Sequence, residues 1–363
     1  MGEPHKIAIV GLGVISKAYL ETIGGHPAVR IVAVADLDAQ RAEAVADEYG
    51  TLALSVAEAV AHPDVETVLN LTIPSAHAEV ALAAIAAGKN VYGEKPLTAT
   101  LPEALEVIAA AQSAGTRVGS APDTVLGTGI QTARAAVESG EIGRPISASA
   151  SWFAPGHERW HPNPDFYYLE GGGPLFDMGP YYLSSLVHIL GPVRTVIGAA
   201  SRQRATRVIG SGPRAGETIP VTVDTHVTGV LEHESGALST ITMSFDGVRT
   251  EANPIEIHGE TGSLAVPDPN NFSGDVRLFR LGGESWETLA PTAGYVDGAR
   301  GVGLLDFAEG HARASGDLAL HVLEVMTLVL DSAADGTRKT VSSRPEVAAI
   351  VPLTPAAEWA ATR

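Results

Sequence analysis

I-A-I-V-G-L-G-V-I-S, at residues 7–16, is the segment that predicts the fold of this chain most clearly. The four apolar residues predict a buried strand, and the two glycines allow a tight turn into a helix. The phosphate-binding turn of a dinucleotide-binding sheet has this pattern: a strand, the motif G-x-G-x-x with a small residue after it, and then a helix. Serine at the third glycine position is small enough to keep the helix close to the strand.

Short apolar strands and helices alternate from this turn to about Pro122. Further strands are predicted at residues 30–36, 65–71, 90–93 and 116–120. The helices between strands are followed by glycine, the residue expected just past a helix end: Gly24, Gly50, Gly88 and Gly115. Continuous apolar strands that alternate with helices indicate a parallel sheet covered on both faces. We therefore expect an α/β Rossmann dinucleotide-binding domain over residues 1–122.

The pattern changes beyond Pro122. One helix is predicted near residues 129–139, and the chain then becomes rich in strands, with a hairpin over residues 221–244 and further strands at 254–266 and 275–281. Strands joined by hairpins pair antiparallel without a crossover helix. Two helices close the chain near residues 303–314 and 317–333. Residues 123–363 are therefore expected to form an α+β domain with an open, largely antiparallel sheet.

The composition excludes several classes of function. The 363 residues carry a formal net charge of −18 and no basic stripe, so they would repel a phosphate backbone or an anionic membrane surface. There is no cysteine, which excludes disulfides, thiolate nucleophiles and cysteine-ligated zinc. No apolar run approaches the ~18 residues of a membrane span, and the first residues lack a secretory signal pattern. We expect a soluble cytoplasmic protein without a nucleic-acid or membrane partner.

A dinucleotide is expected at the glycine turn. The predicted contacts in this half of the site are Gly11, Gly13, Val14, Ile15 and Asp36. The glycines let the backbone approach a pyrophosphate, and the helix then directs its first amides at the anion. Asp36 ends the second strand, where a carboxylate accepts from the adenosine ribose and repels a 2′-phosphate. This predicts NAD as cofactor, although Arg41 leaves NADP open, and a purely structural glycine turn is the alternative.

Two further loops follow strands of the same sheet. Since the carboxyl ends of such strands border the ligand crevice, the residues there are candidates for the nicotinamide half: Thr72, Pro74, His77, Glu94 and Lys95. Lys95 precedes a proline, which restricts its backbone, and a lysine at this place can take part in proton transfer. Taken alone, Lys95 would be a solvated lysine, and His77 fits a structural role almost as well.

Five segments in this order carry a family resemblance: G-L-G-V-I-S (11–16), A-D-L-D (35–38), N-L-T-I-P-S-A-H (70–77), G-E-K-P-L (93–97) and G-G-G-P-L-F-D-M-G-P-Y (171–181). Together they resemble the glucose–fructose oxidoreductase, inositol dehydrogenase and rhizopine-catabolism (Gfo/Idh/MocA) family, over nearly the whole chain. The resemblance implies an NAD(P)-dependent oxidoreductase. Such an enzyme transfers a hydride between nicotinamide and a secondary alcohol or ketone of a sugar, a sugar derivative or a cyclitol.

The resemblance also implies roles for individual residues. Lys95 would be the catalytic lysine, with Glu94 holding it or contacting the nicotinamide ribose, and Asp177 would orient the substrate or the lysine. Many family members carry a histidine four residues after this aspartate, whereas this chain has Tyr181. Tyr181 would donate to the reacting oxygen or exchange a proton with it, so the division of proton transfer between Lys95 and Tyr181 stays open. Nicotinamide and lysine suffice for this chemistry, so no metal is expected.

A run of aromatic residues between positions 152 and 168 is predicted to lie over the substrate. Trp160 would offer a flat face to a sugar ring, His161 would bond its hydroxyl groups, and Asp123 would face the same cleft. Core or interface packing is the alternative for each aromatic residue taken singly. The predicted substrate-binding set is Lys95, Asp123, Trp160, His161, Asp177 and Tyr181.

Self-association is expected because relatives of this kind often associate through the sheet of the second domain. We expect a homodimer or a homotetramer, with residues 123–363 serving both substrate binding and oligomerisation. Alternate residues of the first hairpin strand are predicted to share one apolar face: Val221, Val223, Thr225, Val227 and Leu231. Packing of this face on the domain's own helices is the alternative.

Two other functions stay open at this point. His157-Glu158-Arg159-Trp160-His161 matches H-E-x-x-H, the zinc-peptidase pattern, which requires both histidines on one face of a helix. Neighbouring prolines, among them Pro162 directly after His161, disfavour such a helix. The other possibility is a catalytically silent NAD(H)-binding sensor or scaffold. The presence of Lys95 and Asp177 counts against it.

Overall fold

The computed structural model describes residues 3–311 and 313–360. These residues divide into two compact units. The first unit holds the chain up to Gln131, a segment within residues 292–320 and the stretch from Pro345 on, while the second holds Thr132–Pro291 and His321–Arg344. The chain therefore returns to the first unit twice, instead of leaving it for good near Pro122.

Backbone pairing explains why late segments belong to the first unit. Gly119 forms an antiparallel β-bridge with Ser315, and Tyr295 forms parallel bridges with Gly127 and Thr354. Each bridge joins residues that are far apart in the sequence. Local patterns, from which the boundary was predicted, carry no information about such pairings.

The first unit contains a parallel sheet. Its strands are β1 (His5–Val10), β2 (Val29–Ala35), β3 (Leu52–Ala53), β4 (Thr67–Asn70), β5 (Asn90–Gly93) and β6 (Val118–Ser120). Their order in the sheet is β3-β2-β1-β4-β5-β6. Ile7 and Ile9 of β1 lie in one apolar cluster, and Ala8 and Val10 lie in another on the opposite face. The expected parallel sheet with two covered faces is confirmed.

The helices, in chain order, are α1 (Val14–Ile23), α2 (Ala39–Tyr49), α3 (Val56–Ala61), α4 (Pro74–Ala86), α5 (Leu101–Ala114), α6 (Thr128–Glu138), α7 (Pro174–Leu190), α8 (Val302–Ala308), α9 (Gly316–Asp335) and α10 (Ala356–Trp359). Ser55 with Glu58, and Thr100 with Glu103, form capping boxes that start α3 and α5. Across residues 3–311 and 313–360, no helix combines the length and the apolarity needed to cross a membrane.

The second unit is built on a large mixed sheet. The remaining strands are β7 (Pro145–Phe153), β8 (Val193–Ser201), β9 (Thr206–Val208), β10 (Thr218–Pro220), β11 (His226–His233), β12 (Leu238–Ser244), β13 (Ile255–Gly259), β14 (Gly262–Val266), β15 (Arg277–Arg280), β16 (Glu287–Thr288) and β17 (Lys339–Thr340). The order is β16-β15-β14-β13-β7-β12-β11-β8-β17, with β9 and β10 paired separately. β7 and β12 run parallel, while the other neighbouring pairs described here run antiparallel. The expected, largely antiparallel sheet is confirmed.

The first hairpin strand begins later than predicted. β11 starts at His226. Three of the five residues assigned to one strand face therefore lie outside it: Val221, Val223 and Thr225. The N–H groups of Val221 and Thr222 donate to the carbonyls of Ala205 and Tyr168. Val221 and Thr222 are thus tied to other segments, whereas Thr225 still bonds the ends of the long strands, donating to Ser201 and accepting from the N–H of Phe245.

The predicted apolar face of β11 is buried inside its own unit. Val227 is 2% exposed and Leu231 is 0% exposed. Gly229 lies against Val329 of α9, and α7 packs on the same strand. The face packs on the unit's own helices, so the expectation that it receives a second copy is wrong.

Candidate active site

The glycine turn leaves room for an anion at the start of α1. Gly11 has a φ of +91°, and a Cβ atom there would lie 2.7 Å from main-chain atoms of Leu71 and Thr72, so glycine is required. At Gly13, by contrast, a Cβ atom would meet nothing within 4 Å. Gly13 is also the N-cap of α1, and no side chain caps its first N–H groups. The first turn of α1 can therefore receive a phosphate.

Asp36 is anchored to the glycine turn. Its Oδ2 accepts from the N–H of Leu12 at 2.7 Å, and its Oδ1 accepts from the N–H of Asp38 at 2.8 Å. Arg41 lies 3.4 Å from both oxygens. Burial opposes ionisation, but the two N–H donors and Arg41 outweigh it and lower the pKa of Asp36. The carboxylate is charged at neutral pH and lies beside the turn, as a ribose-binding acid must.

Large apolar side chains are exposed at the same sheet edge. Val14, Leu37 and Ile73 are 98%, 99% and 68% exposed, and they follow β1, β2 and β4. Pro74 is also exposed, and Ile15 is half-buried. Apolar surface that converges on the carboxyl ends of parallel strands marks a ligand site. The uncapped helix, the open space at the turn, the charged acid and these apolar flanks together fit a dinucleotide.

Lys95 is half-buried at the carboxyl end of β5. The neighbouring Glu94 accepts from the N–H of Lys95 at 3.0 Å and from the hydroxyl of Tyr19 at 2.8 Å. Burial, then Glu94, raises the pKa of Tyr19 well above its usual value, so its hydroxyl stays a proton donor. The peptide bond between Lys95 and Pro96 is cis. Glu94 thus holds the main chain that carries Lys95. We call the edge formed by Gly11, Gly13, Asp36 and Lys95 the nucleotide edge.

His77 is structural, which corrects its assignment to the cofactor. It is 2% exposed. Its Nδ1 lies 2.7 Å from the carbonyl oxygen of Pro96, and its Nε2 lies 3.0 Å from that of Thr72. The ring thus ties the loop after β4 to the loop after β5. Thr72 remains at the edge, with its hydroxyl donating to Asn70 at 2.6 Å.

Asp123 is also structural, which removes it from the predicted substrate set. It is fully buried, and its Oδ2 accepts from the N–H groups of Gly301 and Gly303 at 2.8 and 3.2 Å. Burial raises the pKa of Asp123, against the opposing effect of Arg300 and these N–H groups. The carboxylate holds the loop before α8 in the first unit. Its contacts are made to residues almost 180 positions away, which the sequence could not reveal.

In the second unit, Asp177 and Tyr181 lie one turn apart on α7. The helix begins at Pro174, so residues 177 and 181 lie on the same helix face. Asp177 is in the first turn, where the helix dipole favours a carboxylate. Tyr181 is 8% exposed. The next tyrosine, Tyr182, is buried, and its pKa is raised by burial and then by Asp268, as is typical of a packing residue.

Asp177 is hydrogen-bonded to His157, the first histidine of the H-E-x-x-H pattern. Nε2 of His157 lies 2.8 Å from Oδ2 of Asp177. The indole N–H of Trp160 donates to Nδ1 of the same imidazole at 3.2 Å. Aromatic rings surround the imidazole, with ring centroids 4.5–5.8 Å away: Trp152, Trp160, Tyr167 and Phe245. We call His157, these four rings and Asp177 the imidazole pocket.

Residues 157–161 do not form the helix that zinc peptidases need. His157–Arg159 is a single 3-10 turn. Glu158 is buried and engaged by Arg207 at 3.1 Å and by the hydroxyl of Tyr168, so it is not poised over a metal-bound water. Among the described residues, no group of three or more histidines, aspartates or glutamates could hold a metal ion.

The predicted aromatic run does form a cluster. Trp160 is 58% exposed and Phe166 is 56% exposed. His161 lies against both rings, at centroid distances of 5.4 Å. The adjoining Gly172 packs so tightly that a Cβ atom there would lie 2.8 Å from the main chain of Tyr167. This glycine therefore serves the chain's own packing, whereas the exposed rings are available to a ligand.

The functional residue that sequence reasoning missed is His157. Its position in H-E-x-x-H drew attention to it, but for the wrong chemistry. The bond to Asp177 spans 20 residues and depends on the loop before α7 folding back over the helix. The one local sign was Trp160 at three residues' spacing, which supplies the partner of the second ring nitrogen.

Family comparison agrees with the geometry. A profile described as the oxidoreductase family with an NAD-binding Rossmann fold matches residues 5–121, and the GFO/IDH/MocA C-terminal domain matches residues 130–265. A 1,5-anhydro-D-fructose reductase from Ensifer adhaerens is 29% identical over 344 residues, which is 92% of this chain and 97% of the reductase. An inositol 2-dehydrogenase from Salmonella typhimurium is 36% identical over 151 residues, which is 39% of this chain and 44% of the dehydrogenase.

Solved structures share the fold. An NAD-binding oxidoreductase from Klebsiella pneumoniae superposes with a TM-score of 0.80 at 22% identity, covering 94% of this chain and 100% of its own. Levoglucosan dehydrogenase in complex with NADH and levoglucosan superposes with a TM-score of 0.76 at 20% identity, covering 93% and 99%. At these identities the likeness concerns the fold.

Proposed function

Because the chain belongs to the GFO/IDH/MocA oxidoreductase family, we propose that it transfers a hydride between NAD and a secondary alcohol or ketone of a sugar, a sugar derivative or a cyclitol. The relatives described above are named for 1,5-anhydro-D-fructose, levoglucosan and inositol, which supports this substrate class. They are enzymes, so a silent sensor is not favoured. The observation that carries the proposal is Lys95, half-buried on the same sheet edge as the glycine turn and Asp36.

NAD is the proposed cofactor in preference to NADP. The charged carboxylate of Asp36, fixed by Leu12 and Asp38, would accept from the ribose hydroxyls and repel a 2′-phosphate. Arg41 is already paired with Asp36 and Asp38. We expect kcat/KM to favour NAD over NADP by about 10- to 100-fold, which corresponds to about 1.4–2.8 kcal/mol. Asp36→Asn should reduce this ratio, and a wild-type preference for NADP would contradict the assignment.

Lys95 is proposed to move the proton of the reacting hydroxyl group. The bound nicotinamide supplies the hydride acceptor or donor. The amine of Lys95 would take the hydroxyl proton during oxidation and return it during reduction. Glu94, held by Tyr19, would keep the backbone of Lys95 in place.

Asp177 and Tyr181 are proposed to act from α7. The carboxylate of Asp177 would accept from a substrate hydroxyl and so orient the ring. Tyr181, one turn further on, would bond the reacting oxygen. Trp160 and His161 would hold the sugar ring through the exposed indole face and the neighbouring imidazole.

A substrate panel tests the function. The panel contains myo-inositol, 1,5-anhydro-D-fructose, levoglucosan and simple aldoses, and turnover is followed through NADH absorbance. We expect turnover with at least one member. Lys95→Ala should reduce kcat by about 10²- to 10⁴-fold, the range for loss of a general acid or base, with the Kd for NADH unchanged.

Lys89→Ala is the matched control, because Lys89 precedes the opposite end of β5 and should leave kcat unchanged. An equal kcat in Lys95→Ala and wild type would remove Lys95 from the chemistry. Bound NADH without turnover of any sugar or cyclitol would instead support the sensor.

Self-association is proposed through the face of the mixed sheet opposite Val227 and Leu231. On that face Ile197 and Val230 are in register and 41% and 42% exposed, and Leu238 is 50% exposed. The neighbouring in-register positions Thr240 and Ser149 are uncharged. Glu232, opposite Leu238, and Glu256, opposite Ser149, lie on the same face, and Glu232 is paired with Arg194 and Arg338. In a chain with a net charge of −18, the uncharged and partly apolar centre of this face is where two copies repel least.

Sedimentation equilibrium tests this surface. The wild type should be a dimer or a tetramer, and Val230→Lys should lower the association state because it places a charge in the interface. Val208→Lys is the control, since Val208 is 57% exposed on β9, outside this sheet. A monomeric wild type would refute the proposal.

A further inference from the structure

We propose that His157 is a positioning residue for the carboxylate of Asp177, and that Trp160 fixes the tautomer in which it acts. This inference rests on the proposed role of Asp177 in the active site. It assigns a task to a histidine that belongs neither to the nucleotide edge nor to the helix that carries Asp177 and Tyr181. The three groups form one chain of hydrogen bonds, from indole to imidazole to carboxylate.

The two contacts of the imidazole determine where its proton lies. An indole N–H is a donor only, so Nδ1 of His157 must accept from Trp160 and carry no proton. The proton of the neutral ring is then on Nε2, which faces Oδ2 of Asp177 at 2.8 Å. An imidazolium would place a second N–H against the N–H of Trp160. The arrangement therefore fits the Nε2–H tautomer, which donates to Asp177.

The surroundings hold the imidazole in place. His157 is 9% exposed, and the rings of Tyr167 and Phe245 lie 4.5 and 4.8 Å from it. Its main-chain N–H donates to the hydroxyl of Tyr168 at 3.0 Å. That hydroxyl in turn bonds Glu158. With the ring and the backbone both fixed, the bond to Asp177 costs little further conformational entropy.

Asp177 gains a defined orientation from this bond. One of its oxygens is tied to Nε2, so the plane of the carboxylate on the first turn of α7 is set before a substrate arrives. Such orienting partners typically change activity by about 10- to 100-fold when they are removed. Trp160 has its N–H committed to His157 while 58% of the residue is exposed. A sugar ring stacked on Trp160 would therefore contact the same bond chain that orients Asp177.

The kinetic test compares two substitutions at position 157. His157→Leu removes the donor, and kcat on the substrate found with the panel should fall by about 10- to 100-fold, with the Kd for NADH unchanged. His157→Gln keeps an N–H donor near the position of Nε2, so kcat should return to within a few-fold of wild type. His311→Leu removes an exposed imidazole that lies 3.8 Å from Glu309 and should have no effect.

Two kinetic outcomes would overturn the proposal. Wild-type kcat in His157→Leu would show that Asp177 does not depend on His157. Equal losses in His157→Leu and His157→Gln, with equal thermal stability, would show that the hydrogen bond is not the cause.

The second test needs no turnover, so it separates this inference from the proposed function. ¹⁵N-histidine-labelled protein is studied by long-range ¹H–¹⁵N correlation, with His157→Gln identifying the resonances of His157. The wild type should show the Nε2–H tautomer with an accepting Nδ1. Trp160→Phe keeps an aromatic ring and removes the donor, so the Nδ1 resonance should move. Trp286→Phe, at a ring packed on Phe279, should leave it in place.

A proton on Nδ1 in the wild type, or no response of Nδ1 to Trp160→Phe, would disprove the bond chain even if every kinetic expectation of the oxidoreductase held. Conversely, a protein that turns over no panel member but shows this tautomer would contradict the proposed function and retain the bond between His157 and Asp177.

Discussion

At the glycine turn of the first unit, the groups that would bind a phosphate belong to the main chain and lie close together in the sequence. Gly11, Gly13 and the uncapped start of α1 fall within a few residues of one another. In the imidazole pocket of the second unit, side chains from separate segments meet instead. His157 bonds Asp177, and the backbone of this turn is fixed by a buried charge network around Arg207.

This difference determines which substitutions each region tolerates. A site made of main-chain groups depends on backbone conformation and on the absence of side-chain atoms. A site made of buried polar side chains depends on each partner being present, because a lone buried charge is costly. Added side-chain atoms should therefore be most damaging at the glycine turn, and the loss of a charged partner should be most damaging in the second unit.

The largest effect is expected from Arg207→Met. Arg207 is 3% exposed and bonds Glu158 at 3.1 Å and Asp246 at 2.5 Å. Its removal leaves two carboxylates without their cation, which should lower the free energy of unfolding by about 3–5 kcal/mol. Urea denaturation followed by tryptophan fluorescence measures the change.

Arg214→Met is the control for Arg207→Met. Arg214 also holds a carboxylate in two-point contact, Asp165, but both side chains are about one-third exposed. The expected loss is below ~1 kcal/mol. Equal losses for the two arginines would contradict the view that the second unit depends on a buried charge network.

The next largest effect is expected at the glycine turn. Gly11→Ala forces a Cβ atom to 2.7 Å from main-chain atoms in a backbone with a φ of +91°. We expect the free energy of unfolding to fall by roughly 2–4 kcal/mol. We also expect NADH binding to be lost. Calorimetric titration and thermal unfolding measure the two effects.

Gly13→Ala separates folding from binding at the same turn. A Cβ atom there meets nothing within 4 Å, so stability should change by less than ~1 kcal/mol. The methyl group would nevertheless occupy the space proposed for the pyrophosphate, so NADH affinity should fall. Unchanged affinity in Gly13→Ala would exclude this space as the phosphate site.

The smallest expected effect is a loss of stability at acid pH that is confined to the second unit. Burial, then Arg134, lowers the pKa of His188 to about 3, and burial lowers the pKa of His321 to about 4. Such imidazoles take up a proton only on unfolding. The stability they confer is thus complete above about pH 6.5 and declines as the pH falls toward 3. At about pH 5, the contribution of His188 alone should lower the free energy of unfolding by about 2 kcal/mol relative to neutral pH.

Hydrogen exchange, corrected for the intrinsic rate at each pH, measures this weakness. Peptides from α7 should lose more protection at acid pH than peptides from α1. His188→Leu should flatten the pH dependence in α7, whereas His311→Leu, at a half-exposed histidine, should not. Equal acid sensitivity of α1 and α7 would show that the second unit has no special dependence on neutral histidines.

The sequence predicted the strand, turn and helix around Gly11 and Gly13 because their geometry is local. The strand before Gly11, the glycine conformation and the helix after Gly13 are all determined by near neighbours. The same reasoning was wrong for His77 and Asp123. Whether such a side chain faces a ligand or pairs with distant main-chain groups depends on contacts that no spacing reveals.

Local sequence patterns were enough to predict the two sheets and the glycine turn, because periodicity and turn chemistry act over a few residues. The helix that carries Asp177 and Tyr181 was not predicted. Three further features became visible only in the folded molecule: His157 bonds Asp177, the apolar face of β11 is covered by its own helices, and late segments complete the first unit. Each of these depends on the chain folding back on itself, since burial and hydrogen-bond partners are properties of the packed molecule.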